Sequence, residues 1–256
     1  MNEFLGIGGY TRAPEGFFSW QHLTLVTSMM VVMTLLAVIF GRSHRTGTVQ
    51  NKNKPLLVAA ILIDGFELFK ILVCYIRTDD WSFITNNLPL FLCSIQLITI
   101  PMAALCKGRL KEAALDFVMI FGVLGAVAGT YGAAQNYGCY PVLSMDNVVS
   151  GITHSISGFA ALYIAISGMA SMRRKNIWIT FAILAGFCIL AFVANMQLGT
   201  NYMFLSQGDG TPYDILYNLV KGSKLLYPMG VIGLFLIYIV GYYGVFYLAT
   251  HKKAKV

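Results

Sequence analysis

The sequence predicts an all-α fold: a polytopic membrane protein built as a seven-helix transmembrane bundle, a single domain over residues 1–256. Two observations predict it. Only 11% of the residues are charged and 57% are hydrophobic, whereas a soluble domain carries about 25% charged residues. Most of this chain therefore does not face water. The apolar residues also fall in long runs, each close to the ~20 residues that cross hydrocarbon as a helix. A lipid-exposed sheet is excluded, because open strand edges would leave backbone groups unpaired in hydrocarbon. The formal charge of +7 does not signal nucleic acid, since the basic residues sit in short loops between the apolar runs.

The spans are expected at about 20–40, 56–76, 88–105, 113–132, 148–169, 177–198 and 226–248. The first sixteen residues lack a basic start and an apolar stretch. No cleavable signal is expected, and the first span acts as its own anchor. Within it Met29, Met30 and Met33 are core or lipid-facing packing. The second span carries Asp64, Glu67 and Lys70, spaced three apart. The third opens with Leu88-Pro89-Leu90-Phe91-Leu92-Cys93-Ser94; a proline is tolerated at a helix start, where its missing N–H has no partner to lose. Glu112 and Asp116 stand near the cytoplasmic start of the fourth, where negative charge suits a helix N-terminus, and no chemistry is assigned to them. The fifth contains the small-residue run Gly151-Ile152-Thr153-His154-Ser155-Ile156-Ser157-Gly158, which permits close helix packing. The sixth has Asn195 near its outer end, and the seventh runs into a lysine-rich tail.

Loop charge sets the orientation. Arg42, Arg45, Lys52, Lys54, Lys107, Arg109, Lys111, Arg173, Arg174, Lys175, Lys252, Lys253 and Lys255 fall on one side, and Arg12, Arg77, Lys221 and Lys224 on the other. The positive-inside rule then puts the N-terminus outside and the C-terminus in the cytoplasm. One loop is long, from Gly199 to about Lys224, joining helices 6 and 7 on the outer side. Its Asn201-Tyr202-Met203-Phe204-Leu205 piece is too apolar for a water-exposed loop and too short to span, so a re-entrant or interfacial segment is expected. An aromatic belt at headgroup level is the plainer alternative. The five cysteines contain no CxxC, so neither a zinc site nor a disulfide framework is indicated. No metal and no cofactor is expected.

Polar groups inside spans cost free energy, so function is sought among them. Counting inward at about 1.5 Å per residue puts Cys93 about 8 Å deep, and His154 and Lys70 about 9 Å deep. His22 lies shallower and Glu67 about one turn deeper. Groups from several spans thus reach one height in the outer half, which suggests a shared polar cavity. Each has a plainer reading. Cys93 can be a small hydrophobe, His154 a hydrogen bond across helices, and Glu67–Lys70 an intrahelical ion pair. The chemistry that fits them together is thiolate catalysis. A base takes the proton of Cys93, and a neutral His154 can do so and then return a proton to the leaving oxygen. A phospholipid ester lies near that depth. Attack on it would give an acyl-thioester and a lysolipid, with Lys70 or the amides at a helix break stabilising the oxyanion.

Four pieces resemble the transmembrane protein 164 / YwaF-like family: Ser19-Trp20-Gln21-His22-Leu23, the Leu88–Ser94 motif, Thr153-His154-Ser155, and Gly199-Thr200-Asn201-Tyr202-Met203-Phe204-Leu205. The resemblance implies a multi-helix membrane fold. For the eukaryotic branch it also implies a cysteine-dependent acyltransferase that moves an acyl chain from a phospholipid to a lyso-ether-phospholipid without acyl-CoA. The Cys–His pair would fall on Cys93 and His154, with His22, Glu67, Lys70, Asn195, Asn201 and Tyr202 as supporting or substrate-binding residues. Membrane phospholipids and lysophospholipids would be the partners. The androgen-induced-gene hydrolases look like distant relatives with a threonine nucleophile. One departure is Phe91, where bacterial family members often carry His.

Two other functions fit the residues. With water as acceptor the same pair would make a lipid hydrolase. Asp64, Glu67 and Lys70 could instead form the relay of a transporter or sensor. The compact chain without an address signal points to a bacterial plasma membrane.

Overall fold

The computed structural model describes residues 2–80 and 88–251, with the side chain of residue 251 left aside; Lys252, Lys253 and Lys255, which entered the orientation, lie outside them. In order the chain forms α1 (Asn2–Leu5), α2 (Trp20–Ser43), α3 (Val49–Thr78), α4 (Gln96–Leu105), α5 (Gly108–Tyr131), α6 (Ala134–Cys139), α7 (Met145–Ser167), α8 (Ile177–Leu198), α9 (Tyr213–Leu219) and α10 (Leu226–His251). Two 3-10 turns, Arg174–Asn176 and Tyr202–Phe204, punctuate the loops. Among the described residues there is no strand.

Five stretches are long and apolar enough to cross a membrane: Trp20–Ser43, Gly108–Cys139, Met145–Ser167, Arg174–Leu198 and Leu226–Thr250. Their outward faces stay apolar; Ile39, Ile189 and Ile237 are 60%, 63% and 68% exposed. Such a surface is stable against lipid, where it meets no water.

Two expected spans take another form. The second is not confined to 56–76. Helix α3 begins seven residues earlier, where Thr48 caps the Asn51 N–H at 3.4 Å. Its polar first turns are tied down. Lys52 Nζ donates to the Ser167 carbonyl at 2.8 Å, Tyr163 donates to the Lys52 carbonyl at 2.9 Å, and Lys111 donates to Asn53 at 2.9 Å. The third is not helical from Leu88. Residues 88–95 run through turns, with Ser94 N–H on the Phe91 carbonyl at 2.9 Å, and only the ten residues of α4 are helix.

Helix α7 is central. It packs on α2, α3 and α5, while α5 also packs on α4 and α8, and α8 on α10. Small residues make these approaches possible. A β-carbon added at Gly122 of α5 would stand 2.6 Å from the Ser157 carbonyl oxygen of α7. Gly151 and Gly158 of α7 press against Met29 and Met33 of α2. The core around these contacts includes Leu56, Ile63, Phe117, Phe121 and Tyr163.

Asp116 does more than favour a helix start. It is fully buried in α5 and accepts hydrogen bonds from Ser171 N (3.2 Å), Met172 N (3.0 Å), Asn176 Nδ2 (3.2 Å) and Tyr243 OH (2.8 Å). One carboxylate thereby fastens the loop after α7 and the last helix to α5. Buried acids persist when so fully bonded.

Candidate functional site

A cavity of about 650 Å³ opens among α3, the Phe91–Leu97 segment, α6, α7 and the turn after α8. Cys93, His154, Glu67, Lys70, Asn201 and Tyr202 all line it.

Cys93 enters from the turn ahead of α4 rather than from within a helix. Tertiary contacts hold that turn open. The Leu88 N–H donates to Tyr202 OH at 2.9 Å, and the Phe91 ring packs edge-on to Tyr202 with centroids 5.2 Å apart and lies 6.3 Å from Phe204. At the position where a histidine was expected in relatives, this chain therefore has one member of an aromatic wall. The Ser94 hydroxyl and the Cys93 amide lie beside the Cys93 sulfur, while the Ser94 N–H is taken up by the Phe91 carbonyl. Donors so placed can stabilise developing negative charge.

His154 comes from α7 and leans over α5. Its imidazole fills the place where a side chain at Gly129 would go and lies beside the Gly125 backbone. When one ring nitrogen of a neutral imidazole donates, the other is left as an acceptor. Gly125 also faces the thiol: a β-carbon added there would lie 3.9 Å from Cys93 Cβ. The two reactive groups thus approach the same glycine turn of α5. Both are only partly buried, as access from the cavity requires.

Lys70 and Glu67 form an intrahelical pair, with Nζ 2.6 Å from Oε1 and 2.8 Å from Oε2. The lysine charge acts on both Cys93 and His154. Asp64 of the same helix is not part of the cavity lining.

The turn after α8 forms one rim. Asn195, 6% exposed, accepts from the Tyr202 N–H at 2.7 Å and donates to the Tyr202 carbonyl at 3.0 Å. This grip holds Met203 and Phe204 at φ of 54° and 55°, a left-handed region that costs non-glycine residues energy. Asn201 accepts from Ser206 N at 3.0 Å and Gln207 N at 3.2 Å, closing the loop. Asn195 itself does not line the cavity; it positions residues that do.

His22 is not brought to the cavity. It is fully buried, with Nδ1 accepting from Phe18 N–H at 3.1 Å and Nε2 3.1 Å from the Thr130 carbonyl. Ser19 caps the same turn by accepting from His22 N at 3.2 Å. The Ser19–Leu23 piece is thus a reciprocal cap that ties the start of α2 to the end of α5. Among the described residues no group of three or more His, Cys, Asp or Glu is placed to hold a metal ion.

Sequence reasoning missed Ser94, Gln135, Asn136 and Tyr140 in the lining, and the role of Gly125 and Gly129. The readable signal was the spacing of Gly122, Gly125 and Gly129, which puts three glycines on one helix face.

Residues 17–251 match the model of the TMEM164 family. No curated protein and no solved structure matches the chain.

Proposed function

The chain belongs to the TMEM164 family of membrane proteins, and from that premise we propose that it is an acyltransferase in which Cys93 carries an acyl chain from a phospholipid to a lysophospholipid. The observation that supports this reading most is the cavity shared by Cys93, His154 and Lys70. It joins a thiol, an imidazole and a cation, with Ile63, Phe91, Leu97 and Phe204 as apolar wall.

The first step breaks the ester bond of the donor. The Cys93 sulfur attacks the carbonyl carbon while His154 takes the thiol proton. The oxyanion meets the Ser94 hydroxyl, the Cys93 amide and the Lys70 ammonium. On collapse the C–O bond breaks, and His154 gives its proton to the leaving lysolipid oxygen. In the second step the hydroxyl of the acceptor, an ether lysolipid in our reading, attacks the thioester. His154 takes its proton, the C–S bond breaks, and the thiol is restored. The imidazole acts in both steps as a neutral ring with one nitrogen left as acceptor.

In the same reading the chain crosses the bilayer seven times. Helix α3 makes the second crossing despite its charges, and residues 88–105 make the third, with a broken outer half. The Gly199–Lys224 loop then lies in the outer interface, which suits the exposed Ile215 and Leu219 of α9, each 77% accessible. The bilayer is read as a bacterial plasma membrane on the sequence reading alone.

The test uses the full chain in vesicles with a phospholipid labelled in one acyl chain and a lyso-ether-phospholipid. The parent should gain the mass of one acyl group, removed by neutral hydroxylamine, and should form the acylated ether lipid. Cys93→Ala should lose both, and His154→Ala should slow transfer by roughly 10²–10⁴-fold. Release of free fatty acid in place of the ether product would make the protein a hydrolase. Full activity of Cys93→Ala would end the proposal.

A further inference from the structure

A second hollow lies on the other side of α7. It is a groove of about 730 Å³ between α2 and α3, floored by Ile152, Ser155, Ile156 and Phe159 of α7. Helices α2 and α3 both pack on α7, and the gap between them is the groove. The α7 residues that line the thiol cavity are Ser150, Thr153, His154 and Ser157. The two sets follow the same spacing displaced by two residues, which puts them on nearly opposite faces of the helix. One helix is therefore the wall between two separate hollows.

The groove is apolar along its length and charged at one end. Leu25, Met29, Val32, Met33 and Leu36 supply one wall, and Val58, Ala59 and Leu62 the other. The two hydroxyls within it are already satisfied: Ser28 donates to Thr24 O at 2.7 Å and Ser155 to Gly151 O at 2.7 Å. The walls offer no free hydrogen-bond donor to a polar guest. At the cytoplasmic end stand Lys54 and His44. His44 is held through Nδ1, 2.9 Å from the Phe40 carbonyl, which leaves the other nitrogen of the neutral ring an acceptor, so the donor for an anion at this end is Lys54. Lys54 is exposed. From Leu25 to Phe40 the α2 wall is about 22 Å long, more than the ~15 Å depth of one leaflet. Its volume falls within the ~300–1,000 Å³ of small-molecule sites.

We propose that this groove is a binding site for an anionic glycerophospholipid of the cytoplasmic leaflet, with one acyl chain along α2 and the phosphate at Lys54. Charge complementarity selects the occupant: a long apolar slot with a single cationic mouth matches a chain ending in a phosphate. The cytoplasmic leaflet carries such lipids, and each lysine near its surface attracts them. Met29 and Met33 give the slot an adaptable lining. The site is independent of the thiol chemistry, since neither Cys93 nor His154 faces it.

The experiment is photolabelling of the full chain in phosphatidylcholine vesicles. They carry a trace of phosphatidylglycerol, or of phosphatidylcholine, with the same diazirine-bearing acyl chain. Labelled peptides are mapped by mass. The phosphatidylglycerol probe should label the segments around Met29–Met33 and Ile152–Phe159 about fivefold more than the phosphatidylcholine probe. Lys54→Ala should remove that preference. Val58→Trp and Leu36→Trp, at exposed lining positions that leave the core untouched, should each block labelling. Equal labelling by both probes would overturn the proposal. So would labelling as strong at Ile61 and Ile237, which face lipid away from the groove, since that pattern marks ordinary boundary lipid. Cross-linking of two chains through α2 would assign the groove to a second copy and also overturn it.

Discussion

The imidazole of His154 stands where a side chain of Gly129 would have to go. A glycine within a helix costs about 1 kcal/mol relative to alanine. At this position the cost is offset by room for the His154 ring against α5.

Gly129→Ala tests that relationship. The added methyl meets the far end of a side chain, so the ring can swing away and the bundle should keep its melting temperature. Acyl transfer should fall by about 10²-fold, the effect of a misplaced catalytic group. Assay of the purified variant in vesicles, beside a melting curve, separates the two effects. Wild-type transfer would remove His154 from the mechanism.

Gly122→Ala should behave in the opposite way. Its methyl would meet the Ser157 carbonyl oxygen at 2.6 Å and the Ala161 β-carbon at 2.8 Å, and backbone cannot swing aside. A loss of roughly 1–3 kcal/mol is expected from overpacking, read as a lower unfolding temperature in detergent.

Asn195→Ala removes the two hydrogen bonds that its side chain makes to the Tyr202 N–H and carbonyl, while the carbonyl keeps the Leu205 N–H at 3.2 Å. Loss of hydrogen bonds of this kind costs roughly 0.5–1.5 kcal/mol each. The strained Met203–Phe204 turn should relax, and Tyr202 should release the Leu88 N–H. Hydrogen exchange at Leu88 and Tyr202 should accelerate together in this variant; protection unchanged at both would count against the link.

Ahead of α2, Glu15 Oε2 accepts the Val142 N–H at 2.7 Å, and Arg12 lies 3.4 Å from Oε1. Burial pushes this carboxyl up, but the Val142 amide and Arg12 outweigh it and hold it below its ordinary value. A depressed folded value means that the contact contributes stability above the unfolded value, near pH ~4.3, and that this is lost as pH falls through the folded one. Protease cleavage within residues 6–16 should therefore rise as the pH is lowered through the acid range. Glu15→Gln should cleave readily at every pH.

Continuous apolar runs were legible in the sequence because hydrocarbon tolerates nothing else. The bounds of α8 follow its run from Ile177 to Leu198, where Gly199 takes a left-handed φ of 66°. The start of α3 was hidden by polar residues that look like a loop until Ser167 and Tyr163 are seen to hold them. The break before α4 was hidden for a related reason. Leu88–Ile95 is apolar enough to be helix, and only the distant Tyr202 and Phe204 decide that it is not. Counting residues from span ends places Cys93, His154 and Lys70 at one height, but height carries no direction. His22 lies shallower and is turned toward Thr130 by the cap it shares with Ser19.

Because α7 is the common wall of two hollows and is wedged against Met29 and Met33 by its glycines, it has almost no idle surface. Substitution tolerance along the chain should therefore be lowest on this helix. A residue exchanged there to enlarge one compartment necessarily intrudes on the other or on the α2 seam, so a change of lipid preference would have to arise on α2, α3 or the rim after α8.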